Sequence, residues 1–131
     1  MSWLFLDTHT SGQYRLGMCH RDGKTDIRLY KGRTRSALTR IHRLWEKEGK
    51  EWSGIAVVSG PGSFSSIRTG VLYANILATC LHLPLQGLSV EESTEDETII
   101  RILKSDRMEK EVSYVAPVYD AEPNITLPRT S

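Results

Sequence analysis

An α/β fold, a mixed sheet of about five strands with helices packed on it, is what the sequence predicts. Three observations predict it. Three strand-like segments open the chain, two of them joined by a tight Asp-Gly turn. Two helical stretches follow. Each is succeeded by a short apolar run of the kind that lies buried in a parallel sheet. Antiparallel strands first and strand–helix–strand units afterwards give one mixed sheet.

The elements follow in chain order. Trp3–Asp7 is an apolar run ending in an acid, and Gln13–His20 alternates loosely. Arg21-Asp22-Gly23-Lys24 is a hairpin turn, because Asp-Gly supplies the positive φ that such turns need. Thr25–Tyr30 returns as a third strand. From Thr34 to Glu48 the apolar positions Ala37, Leu38, Ile41, Leu44 and Trp45 have helical spacing, with Thr34 placed to cap the start and Gly49 to end it. Gly54–Ser59 is a buried strand broken by Gly60-Pro61-Gly62-Ser63. A second helix runs from about Phe64 to His82, with Ser63 as its cap. Its small residues Gly70, Ala74 and Ala78 permit close approach by another helix. Leu85–Val90 is the last strand of this unit. Beyond it the pattern gives a two-turn helix over Thr98–Lys104, a strand over Val112–Tyr119 and an extended tail from Glu122 to Ser131. The boundaries are therefore 1–90 for the main lobe and 91–131 for the remainder.

Composition bounds the function. The chain has 131 residues and a net charge of +1, so one compact domain is expected and no global field draws it to nucleic acid or membrane. Charge is nevertheless segregated. Arg28, Lys31, Arg33, Arg35, Arg40, Arg43, Lys47 and Lys50 form a basic stretch, and Glu91, Glu92, Glu95, Asp96 and Glu97 an acidic one. Solvated faces explain both, and contact with nucleic acid or an acidic partner is the sharper reading of the first. Two cysteines 61 positions apart, Cys19 and Cys80, make neither a disulfide framework nor a zinc spacing. Cys80 reads as a small core residue. The four histidines show no metal-ligand spacing. No apolar run approaches the roughly 20 residues needed to span a bilayer, and no signal peptide is evident, so a cytoplasmic location without membrane attachment is expected.

Two segments could carry chemistry. The first is Asp7-Thr8-His9-Thr10, an acid at a strand end followed by hydroxyls in a turn. A carboxylate so placed can order a metal and its water while the turn holds phosphate. The second is the loop at Gly60, Gly62 and Ser63, which aims backbone amides at an anion from a helix start. It is not a Walker A loop, since no Gly-Lys-Ser/Thr follows, and Pro61 removes one donor. Plain structural turns explain each segment equally well. No Gly-x-Ser-x-Gly elbow is present. Trp45 and Trp52 read as core or interface.

Together, in this order and spacing, these segments resemble the TsaB (YeaZ) family of tRNA threonylcarbamoyladenosine biosynthesis. The resemblance lies in Leu4-Phe5-Leu6-Asp7-Thr8-His9-Thr10, in Asp22-Gly23 and, most specifically, in Ile55-Ala56-Val57-Val58-Ser59-Gly60-Pro61-Gly62-Ser63-Phe64-Ser65-Ser66-Ile67-Arg68-Thr69-Gly70. Leu85-Gln86-Gly87-Leu88-Ser89 continues it, and Ala116-Pro117-Val118-Tyr119 is similar to the family's C-terminus. His9 stands where the family has Ser, and Ser65-Ser66 where it has Thr-Gly. Too few residues remain after the last strand for the family's second lobe. The resemblance implies a single actin-like (ribonuclease H-like) lobe with residues 91–131 as the remnant of a second lobe and a tail. It implies a non-catalytic subunit, with no catalytic or metal-binding residue of its own, that binds and activates a TsaD-like transferase acting on adenosine 37 of tRNA. A TsaE-like ATPase would join the pair, ATP and metal would sit on those partners, and tRNA would be engaged indirectly. The docking face would comprise Leu38, Ile41, Trp45, Phe64, Ile67, Arg68, Gly70, Val71, Ala74 and Ala78. Asp7, Thr8, Thr10, Gly60, Gly62 and Ser63 would be a vestigial phosphate site. Two other readings stay open: a small phosphotransferase or ATPase using that site, and a homodimer built on the same helices.

Overall fold

A computed structural model describes residues 2–20, 22–104, 115, 116 and 118 of the chain. The first strands are β1 (Ser2–Asp7), β2 (Gln13–His20) and β3 (Thr25–Lys31). They are followed by α1 (Ala37–Glu48), β4 (Trp52–Gly60), α2 (Phe64–Leu81), β5 (Leu85–Ser89) and α3 (Asp96–Leu103). The sheet order is β3-β2-β1-β4-β5. β1 pairs antiparallel with β2 and parallel with β4, β2 pairs antiparallel with β3, and β5 extends β4 in parallel. The mixed five-stranded α/β sheet expected from the sequence is the one observed.

Alternation along the strands divides the interior into two layers. Leu4, Leu6, Leu16, Met18, Ile55 and Val57 face one side, where Ala37 and Ile41 of α1 and Ile67, Val71, Ala74 and Ala78 of α2 cover them. Phe5, Cys19, Ala56, Val58 and Leu88 face the other, covered by Ile99, Ile102 and Leu103 of α3. The segment after β5 thus supplies the second cover of the sheet. The expected helix at 98–104 is present, beginning two residues earlier.

Several local expectations are corrected. Thr34 does not cap α1. Residues Thr34–Ser36 form a 3-10 turn, and Ser36 precedes α1 with its hydroxyl given instead to the carbonyl of Arg33. Ser63 occupies the cap position of α2 but its side chain makes no capping bond. Gly49 ends α1 in the right-handed region at φ −60° and leads into a second 3-10 turn, Gly49–Glu51. The left-handed stop belongs to His82 at the end of α2, φ 54°. Cys80 is exposed, not a core residue. The expected strand at 112–119 falls mostly outside the described residues, and Val115, Ala116 and Val118 are not in a strand. The expected tail at 122–131 lies wholly outside them.

Candidate functional site

β1 and β4 run in parallel, so both deliver their C-terminal ends to the same edge of the sheet. There the Asp7 turn meets the Gly60–Ser63 loop, and the two sequence-predicted segments are in contact. The backbone amide of Ser63 donates to the carbonyl of His9 at 2.9 Å. Gly62 is required by that approach, since a Cβ there would stand 2.5 Å from the same carbonyl oxygen.

Asp7 is buried, with 2% of its surface exposed, and both of its oxygens are engaged. Oδ1 accepts from the amide of His9 at 3.0 Å and lies 2.6 Å from His9 Nδ1. Oδ2 accepts from Arg15 Nε at 2.8 Å and sits 2.7 Å from Arg15 Nη2. Arg15 reaches Asp7 because the two residues are directly paired across β1 and β2. The same guanidinium donates to the carbonyl and hydroxyl of Ser93 at 3.0 and 3.1 Å, tying the turn after β5 to the end of β1. It also lies over the ring of Phe5.

The remaining turn residues divide by burial. Thr8 is fully buried and donates its hydroxyl to the carbonyl of Ser66 in the first turn of α2, at 2.8 Å. Thr10 is exposed. Gly60 has φ 121°, and its missing side chain admits the carbonyl of Val118. A shallow cleft of about 150 Å³ lies beside this junction, walled by Asp7, His9, Thr10, Gln13 and Leu29 among others. The carboxylate, the threonine hydroxyl and the Ser63 amide that could have held metal or phosphate are all satisfied within the chain. The arrangement locks β1, β2, α2 and the 89–95 turn together. Among the described residues no group of three His, Cys, Asp or Glu side chains gathers to hold a metal ion, and no helix is long and apolar enough to cross a membrane.

The residues expected to form a docking face divide as well. Ile41, Ile67, Gly70, Val71, Ala74 and Ala78 are buried. The stripe of small residues therefore faces the chain's own sheet rather than another helix. A Cβ on Gly70 would fall 2.0 Å from Thr8 Oγ1. Leu38, Trp45 and Arg68 are exposed and Phe64 is half-buried. The outer side of α2 instead presents Leu72 and Ile76, 53% and 50% exposed, which the sequence reading missed. Their i, i+4 spacing off the buried stripe was the available signal. Arg15, Ser93 and Asn75 were missed too. Asn75 accepts from the amide of Val115 at 2.9 Å and donates to its carbonyl at 2.8 Å, holding the late segment as a paired strand would.

Comparisons with known proteins can be set against this geometry. Residues 35–95 match the family model described as TsaD: tRNA N6-adenosine threonylcarbamoyltransferase. Two solved structures from Pseudomonas aeruginosa share the fold. One is YeaZ, and the other is an uncharacterized protein with similarity to peptidase YEAZ. Each is 23% identical with a TM-score of 0.58, and the alignment covers 67% of this chain and 43% of the other. The chain thus spans less than half the length of those proteins. No curated protein matches by sequence. The resemblance to the TsaB (YeaZ) family is borne out by the TsaD-family match and by a fold shared with YeaZ.

Proposed function

We propose that this chain, a YeaZ-like lobe whose residues 35–95 match the TsaD family, is a non-catalytic scaffold subunit. It binds and activates a TsaD-like transferase that threonylcarbamoylates adenosine 37 of tRNA, with a TsaE-like ATPase as further partner and with ATP and metal held by those partners. The observation that carries the reading is the apolar surface on the two helices covering one face of the sheet. Leu38 and Trp45 on α1 and Leu72 and Ile76 on α2 are between 42% and 53% exposed. Large exposed apolar side chains grouped on adjoining elements suit a protein interface. The closed Asp7 junction supports a partner role over an enzyme of the phosphotransferase or ATPase class, because its acceptor oxygens are already taken by Arg15 and His9.

Co-expression with the host's TsaD homologue, followed by size-exclusion chromatography with light scattering, tests this. The expected product is a one-to-one complex that Leu72→Glu with Ile76→Glu abolishes while the far-UV circular dichroism stays native. Separate elution of the two wild-type proteins overturns the proposal. The same exposed stripe also suits a homodimer, whose signature is twice the chain's mass for the isolated protein, sensitive to the same pair of substitutions.

A further inference from the structure

We propose that the flank of α1 beside the β3 edge is a direct binding surface for the phosphate backbone of RNA. Arg40, Arg43 and Lys47 lie at i, i+3 and i+7 and so share one side of α1. Arg40 fixes where that side looks. Its guanidinium stacks 3.9 Å over the ring of Tyr30 on β3, and its Nε donates to the hydroxyl of Tyr14 at 3.0 Å. The cationic side therefore adjoins the open edge of the sheet, where β3 is the outermost strand. Arg28 lies two residues before Tyr30 on β3 and hence on the same face. It is 71% exposed. Arg33 and Arg35 continue the cationic surface past the end of β3, both exposed.

Among the described residues, little on the same surface neutralises these charges. Of the two carboxylates of α1, Glu46 is engaged by His42, and Glu48 lies on the half-buried side. Asp26 pairs with Arg28 at 3.3 Å, the one acid of β3. The chain's acidic stretch is elsewhere, on the turn after β5 and the start of α3, in the layer across the sheet. The cations of α1 also climb in steps of about 4.5 and 6 Å, from the rise of about 1.5 Å per residue. A polyanion with regular charges along a strand matches such a row, and each contact releases counterions from the nucleic acid. That the RNA is a tRNA rests on the function proposed above. The direct contact goes beyond that reading, which has tRNA held by the partner.

The test uses the full chain, a labelled tRNA transcript and fluorescence anisotropy at several salt concentrations. Arg43→Gln with Lys47→Gln removes two exposed cations and leaves the Arg40–Tyr30–Tyr14 contacts in place. The expected result is weaker binding and a log–log salt slope shallower by about 1.5 to 2. Arg101→Gln with Lys104→Gln, an equal charge change on α3 and the residue that follows it, is expected to leave both unchanged. Absence of binding by the wild-type chain, or equal loss in the two variants, overturns the proposal. Polyglutamate displacing the tRNA as well as unlabelled RNA of equal charge does so too, and assigns the surface to an acidic protein. Co-purification with the TsaD homologue, run on the same variants, separates the two readings. A complex that forms without the strip-dependent RNA binding defeats only the RNA surface. Strip-dependent RNA binding without the complex defeats only the scaffold function.

Discussion

At the scale of the residue, Gly70 shows how a pattern can be read correctly and placed wrongly. Gly70, Ala74 and Ala78 were recognisable as a stripe that lets a neighbour approach closely. The neighbour is the chain's own β1 turn, since the Thr8 side chain occupies the space a Cβ would take. Thr8 is itself committed to the carbonyl of Ser66, so it cannot step aside without losing that bond. Gly70→Ala is therefore expected to destabilise the fold by about 1–3 kcal/mol, in the range for overpacking a close contact. Urea denaturation followed by circular dichroism measures it, and an unchanged midpoint would contradict the overlap. Asp7 teaches a related lesson. An acid at a strand end was legible, but the same residue type serves a metal or an ion pair. Arg15 decides between them, and its register opposite Asp7 exists only once β1 and β2 are paired.

At the scale of the element, spacing told most of the story. The strands were legible because apolar runs of the right length alternate with turn chemistry such as Asp22-Gly23, and the helices because Ile41 and Leu44, or Ile67, Val71 and Ala74, recur at helical offsets. The ends were less so. Ser63 and Thr34 are good capping residues by type, yet the Ser63 side chain makes no capping bond and Thr34 lies in a 3-10 turn. Nothing local announced Asn75 as the anchor of Val115, because the amide and carbonyl it holds are 40 positions away. Asn75→Ala leaves the amide and carbonyl of Val115 without those bonds. A loss of about 1–3 kcal/mol is expected, together with faster proteolysis near residue 115. Limited digestion read by mass spectrometry checks it, and an unaltered cleavage pattern would mean that the clamp holds nothing in place.

At the scale of the whole molecule, two helices cover one face of the sheet and a shorter one covers the other. The two cysteines sample this arrangement. Cys19 lies in the layer under α3, and burial, with a further contribution from Asp96, pushes its thiol up from 9.0 to about 12. Cys80 is exposed on the outer side of the molecule. A thiol reagent at pH 8 is expected to modify one cysteine in the native protein and both in urea. Rapid labelling of both in buffer would show that α3 does not stay seated. The direction of the shift also sets a pH dependence. The neutral thiol of the folded state contributes fully below pH 9 and loses its contribution as the pH rises from 9 towards about 12.

The clamp on Val115 has a consequence for the order of assembly. β1, β2 and β3 are joined by turns of a few residues and pair in sequence, so their union requires only short loops to close. The contact between Asn75 and Val115 spans 40 positions, and the amide of Val118 reaches back to the carbonyl of Ser59 at 2.6 Å. Loop closure over such separations costs more chain entropy, and the seat for Val115 consists of α2 and of Gly87 on β5. Both must exist before the segment can dock. The meander is thus the natural first structure and the late segment the last, a closing stitch made on a fabric already woven.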